Sequence, residues 1–140
     1  MGRYLAIDYG SKRCGIAVSD PARMIAYGLE TVASHALMQF LDDYFKKEEV
    51  ECVVFGKPMQ QDNKTSESFI LVERFARAFR KRFPKMRTAW EDERFTSRMA
   101  VQSMVDAGMK KSERRKKENV DRMSAALILQ SFMEQENNPG

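Results

Sequence analysis

A chain of 140 residues with a net charge of +4, two cysteines and a single histidine is long enough to bury roughly 68–70% of its unfolded surface in one core, and it lacks the soft ligands of a structural zinc site. No stretch approaches the ~20 apolar residues of a membrane span, and the N-terminus has no charged segment leading into a sustained apolar one, so no such anchor or export signal is expected. The expectation is a single domain over residues 1–140, cytoplasmic, with Cys14 and Cys52 as reduced and buried thiols.

In chain order, Arg3 to Ile7, Cys14 to Ser19 and roughly Ala26 to Val32 are short β-rich runs separated by Gly10, Gly15, Pro21 and Gly28, which predicts an antiparallel meander of three strands. Ser34 is placed to cap a helix in which Leu37, Phe40, Leu41, Tyr44 and Phe45 recur at helical spacing before Lys46-Lys47-Glu48. Cys52 to Phe55 reads as a buried strand, followed by Gly56, Pro58 and a polar stretch from Gln60 to Glu67. A second helix carries Phe69, Val72, Phe75, Ala76 and Phe79 on one stripe, stops near Pro84, and has a basic exposed side. A short strand from Arg87 to Trp90, a helix from about Thr96 to Ala107 ended by Gly108, and a last helix from about Asn119 to Glu134 complete the chain. The order β-β-β-α-β-α-β-α-α predicts an α/β fold, a mixed five-stranded sheet of three antiparallel strands and two parallel ones, with helices on both faces.

Three places carry carboxylates suited to chemistry. Asp8 ends an apolar strand just before Gly10. A carboxylate there requires a partner or a metal if it is buried, or else it caps the following loop. In the last helix, steps of four, seven, eight and eleven from Asp121 reach Ala125, Ile128, Leu129 and Phe132, so Asp121 lies on the stripe that faces the core. Compensation of the helix dipole would also account for an acid in that first turn. The third place is Glu91-Asp92-Glu93, following the strand that ends at Trp90. In an extended segment Asp92 points opposite to its neighbours, so one or two of these acids are solvated. Convergence of Asp8, one of the middle acids and Asp121 would form an all-oxygen cluster suited to Mg²⁺ or Mn²⁺.

Between Lys110 and Arg122 seven cations face three acids, so this stretch alone accounts for the net charge of the chain. It is either a solvated loop or an electrostatic footprint for a polyanion, and the absence of interleaved aromatics favours phosphate contact over base stacking.

Four ordered blocks resemble a known family: Asp8-Tyr9-Gly10-Ser11-Lys12 with Gly15 to Asp20, Val53 to Pro58, Asp92 to Ser97, and Val120 to Ala126 leading into Leu127-Ile128-Leu129-Gln130. Together they are similar, nearly end to end, to the YqgF/RuvX family of RNase H-like proteins, described both as nucleases processing the 5′ end of pre-16S ribosomal RNA and as Holliday junction resolvases. The resemblance implies an RNase H-like fold and a Mg²⁺- or Mn²⁺-dependent nuclease, with Asp8, Glu93 and Asp121 as the metal-binding catalytic acids and Asp92 in reserve. It makes Lys12, Arg94, Arg114, Arg115, Lys116 and Lys117 phosphate contacts. The chain departs from the family at Lys57 and Asn63, where many relatives carry a leucine and a glycine.

A ribosomal RNA precursor ranks first as substrate and a four-way DNA junction second. The partner is then nucleic acid, with no membrane, and the protein itself a monomer or weak homodimer, since the sequence shows no long exposed apolar stripe or heptad seam. A nucleic-acid binding module without chemistry is the third reading. The Asp8 to Gly15 turn also resembles the phosphate hairpin of actin-like and sugar-kinase ATPases, but those duplicate the core, and this chain has room for one.

Overall fold

The computed structural model describes residues 2–58, 67–93, 108, 110 and 116–137, with only the backbone of Glu93 and Lys117. Five strands form one sheet: β1 (Arg3–Asp8), β2 (Arg13–Ser19), β3 (Ala26–Ala33), β4 (Val50–Pro58) and β5 (Arg87–Glu93). Their spatial order is β3-β2-β1-β4-β5. β1 pairs antiparallel with β2, and β2 antiparallel with β3, whereas β1–β4 and β4–β5 are parallel. The mixed sheet is the expected one. Helices α1 (Leu37–Lys47), α2 (Glu67–Arg82) and α3 (Lys117–Asn137) complete the described elements. The helix expected over 96–107 lies outside the described residues.

Alternation along the strands builds two cores. Leu5, Ile7, Cys14, Ile16, Val18, Val53 and Phe55 face α1 and α2, where they meet Leu37, Leu41, Val72, Ala76 and Phe79. Tyr4, Ala6, Ala17, Cys52 and Val54 face α3 and pack on Ala125, Ile128, Leu129, Phe132 and Met133. β1 and β4 are covered on both sides, which is why they read as continuous apolar runs. The first core is rich in aromatic contacts: Phe55 lies 5.7 Å from Phe79 and 5.5 Å from Trp90, centroid to centroid. Each such pair adds about 0.5–1.5 kcal/mol beyond its buried area.

Three sequence expectations change. Ser34 does not cap α1. Residues 34–36 form a 3₁₀ turn, the helix starts at Leu37 without a side-chain cap, and the Ser34 hydroxyl instead donates to the Gly10 carbonyl at 2.6 Å. Tertiary pinning of the β1–β2 turn takes the hydroxyl that local capping would have used. β5 runs on through Glu93 rather than ending at Trp90, because the acids continue the ladder with Gly56, Lys57 and Pro58. Finally, exposed apolar side chains are concentrated at Met24, Ile25, Tyr27 and Leu29, on β3 and the residues leading into it. β3 is an edge strand with α3 on one face only, so Tyr27, opposite Val18, lies on the side α3 leaves uncovered.

Candidate active site

The site is set by how the start of α3 lies on the sheet. Asp8 closes β1 and stands directly opposite Gly15 of β2. Tyr4 and Ala6 of the same strand face α3, so Asp8, two positions on, shares their parity. A Cβ built on Gly15 would lie only 2.0 Å from the Asp121 carbonyl oxygen, so the first turn of α3 rests on the bare backbone of β2 at that point. Gly28 of β3 gives similar but looser room, its built Cβ lying 3.1 Å from that of Arg122. Thr31 fixes the turn by donating to the Glu118 carbonyl at 2.8 Å, and further along α3 the Gln130 side chain accepts from the Ala26 amide at 3.2 Å. Asp8 and Asp121, far apart in sequence, thus occupy adjoining positions above β1 and β2.

Electrostatics agree with this placement. Burial pushes the Cys14 thiol up, hydrogen bonds with Ser34 and Gly10 offset that in part, and the negative charges of both Asp8 and Asp121 raise it further. The thiol belongs to the core on the opposite face of the sheet, yet it feels both carboxylate charges. Asp121 is 18% exposed and accepts a 3.0 Å charged hydrogen bond from Nε of Arg13, the first residue of β2.

The middle acids separate by parity. Glu91 is buried against α3, where its carboxylate accepts from Ser131 Oγ at 3.1 Å and Gln135 Nε2 at 3.0 Å. Burial raises its pKa above the usual glutamate range, and the two hydrogen bonds counter part of that rise. Asp92 is exposed and stands beside Lys57 in the register of β4 and β5. Position 93 has the parity of 91 and pairs with Pro58. Among the described residues no three His, Cys, Asp or Glu side chains are grouped to hold an ion; the side chain of Glu93 is not among them.

Of the basic residues, Lys12 is exposed in the β1–β2 turn, and its carbonyl accepts from the Ser34 amide at 3.0 Å. Lys116 is exposed just before α3, its carbonyl accepting from the Asn119 and Val120 amides at 3.1 and 3.3 Å, and Lys117 is the first residue of the helix. Arg94, Arg114 and Arg115 lie outside the described residues. Arg13 and Gly15 are new to the site, whereas Glu91, one of the three middle acids, is held by α3. A glycine inside an apolar strand was a usable signal for close backbone approach. Arg13 had none, since its partner lies 108 positions away.

Comparison with known proteins places this geometry in a family. The chain is 51% identical over 133 residues to a protein of Christiangramia forsetii named "Putative pre-16S rRNA nuclease", covering 95% of this chain and 98% of that one. It is 48% identical over 134 residues to a Bacteroides fragilis protein of the same name, covering 96% and 97%. Among solved structures, "T. thermophilus RuvC in complex with Holliday junction substrate" superposes with a TM-score of 0.54 at 15% identity, covering 99% of this chain and 98% of that chain. That likeness shows the RNase H-like fold. The sequence profile of RuvX, described as "Holliday junction resolvase", matches residues 2–135, and the chain belongs to this family.

Proposed function

We propose that this chain is a divalent-metal-dependent nuclease, with Asp8, Glu93 and Asp121 as its metal-binding acids and the 5′ end of pre-16S ribosomal RNA as its target. The observation that carries the reading is the seating of Asp121 on Gly15 beside Asp8. Two carboxylates on one sheet face, with a third acid position at the end of β5, are a hard, all-oxygen donor set that fits Mg²⁺ or Mn²⁺. When bound, such ions activate a water and stabilise the leaving oxygen of a phosphodiester.

The other tasks fall to the chain. Asp8 and Asp121 hold their positions because a strand end and a docked helix turn are rigid supports. Arg13 orients the Asp121 carboxylate through its 3.0 Å hydrogen bond and tempers its repulsion with Asp8. Lys12, Arg94, Arg114, Arg115, Lys116 and Lys117 offset phosphate charge around the cut. The names carried by the relatives from Christiangramia and Bacteroides support the RNA target.

The family description and the exposed apolar side chains of β3 support a second reading, cleavage of a four-way DNA junction, which requires two copies related by a two-fold axis. Both are tested with purified protein, Mg²⁺ or Mn²⁺, a pre-16S RNA and an immobile junction. The expected result is cleavage of the RNA, abolished in Asp8→Asn and in Asp121→Asn while circular dichroism is unchanged. Full activity in either variant removes the site. Paired, symmetric nicking of the junction without RNA cleavage transfers the assignment to the second reading, and binding without cutting of either leaves a binding module.

A further inference from the structure

On the face of the sheet opposite Asp121, a groove of about 470 Å³ lies between α2 and the edge strand β5, lined by Lys57, Phe69, Glu73, Arg77, Arg80 and Trp90. Phe69, Glu73, Arg77 and Arg80 follow one another at helical steps of four, four and three, so they form one flank of α2. From 69 to 80 that flank extends roughly 17 Å at 1.5 Å per residue. Trp90 forms the floor from β5, with its ring 5.8 Å from that of Phe69, and Lys57 Nζ sits 5.5 Å from the Phe69 centroid. Glu73 pairs with Arg77, and Asp92 stands beside Lys57 in register. Three cations against two acids leave the groove net positive.

We infer that this groove binds a single-stranded segment of nucleic acid, with phosphates on Lys57, Arg77 and Arg80 and a base against the partly exposed aromatic wall of Phe69 and Trp90. Cations interleaved with aromatic faces are what unpaired nucleotides require, since every base has a π-face that a duplex keeps hidden in its stack. The arrangement differs from the 110–122 stretch, whose cations have no aromatics among them. The inference rests on the nuclease reading for its setting and deepens it: the substrate has an unpaired flank, held apart from the point of cleavage. Position explains how one strand reaches both places. Lys57 lies two residues beyond Phe55, whose register partner is Ile7, so the head of the groove and Asp8 share one end of the sheet.

Trp90 is the sole tryptophan of the chain, so its emission reports on this groove directly. The full chain is titrated in EDTA, where metal-dependent cleavage is silent, with single-stranded oligo(U) of ten nucleotides and with a blunt RNA duplex of ten base pairs. The expected result is a saturable change in Trp90 emission with oligo(U) and a weaker response to the duplex. Binding of oligo(U) should fall at least tenfold in the Lys57→Gln/Arg77→Gln/Arg80→Gln variant, with a salt slope flatter by ~0.7 log unit for each phosphate no longer neutralised. If that variant fails to fold, Arg77→Gln/Arg80→Gln, which alters only exposed side chains, carries the test. Asp8→Asn should bind oligo(U) as tightly as the unaltered chain, so failure of the cleavage reading would leave this result standing. No saturable change, unchanged affinity in the groove variants, or an equal response to the duplex would overturn the inference.

Discussion

Replacing Gly15 by Ala tests the central geometry without touching a carboxylate. The added methyl would meet the Asp121 carbonyl oxygen at 2.0 Å and its carbonyl carbon at 2.4 Å, whereas carbon–oxygen contacts settle at roughly 3.3–3.6 Å. Relief requires a displacement of about 1.3 Å or more, and the obstacle is backbone on both sides, so the first turn of α3 must lift from β2. Overpacking of this kind costs roughly 1–3 kcal/mol, which at this chain length lowers Tm by roughly 2–4 °C per kcal/mol. The lift moves Asp121 away from Asp8, and a misplacement of about 1 Å in a catalytic constellation costs on the order of 100-fold in rate. Gly28→Ala is the matched control, because its new methyl meets the Arg122 Cβ at 3.1 Å and needs only a few tenths of an ångström. The assay is single-turnover cleavage with saturating Mn²⁺, run beside thermal melts of both variants. A Gly15→Ala protein with unaltered Tm and rate would refute the claim that α3 is seated on Gly15.

Glu91 gives a pH signature. Its folded pKa is raised by burial, so the folded state holds the proton more tightly than the unfolded one, and this contribution to stability is full below the unfolded value of about 4.3. It is lost as pH rises through the folded pKa. Chemical denaturation from pH 4 to 7 should therefore show Glu91→Gln gaining on the unaltered chain as pH rises, and parallel curves would contradict the burial. For the middle acid of the proposed metal set, Glu93→Gln should abolish metal-dependent cleavage while Asp92→Asn retains it, since Asp92 is exposed beside Lys57; the reverse pattern in the same metal titration would exchange their proposed roles. Replacing Arg114, Arg115, Lys116 and Lys117 by Gln should weaken binding to unrelated duplexes alike and flatten the salt slope by up to ~0.9 log unit per phosphate left without its cation. An unchanged slope would mark that segment as merely solvated.

The parts of this fold legible in the sequence were those governed by local periodicity. The stripe from Asp121 through Ala125, Ile128, Leu129 and Phe132 could be counted off in steps, and those four apolar residues lie in the second core. What escaped depended on contacts between distant segments. Ser34 carries a helix-start residue type, yet its hydroxyl is taken by Gly10, 24 positions earlier. The strand ending at Trp90 looked finished because three acids rarely extend a ladder, but pairing with Gly56 to Pro58 overrides that preference. Glu91 could not be separated from Asp92 and Glu93 by composition. Only Ser131 and Gln135, supplied by α3, show why this one is buried.

The docking of α3 also has a bearing on the order of events during synthesis. Arg13 and Asp121 are 108 positions apart, and the helix that delivers Asp121 is the same one that covers Tyr4, Ala6, Cys52 and Val54. A nascent chain that has emerged only through β5 can assemble the first core on α1 and α2, but it leaves the other sheet face bare and has no Asp121 to set beside Asp8. Closing the second core and seating Asp121 beside Asp8 therefore both wait for α3, and under the proposed assignment a copy without its last helix lacks one of its three metal-binding acids.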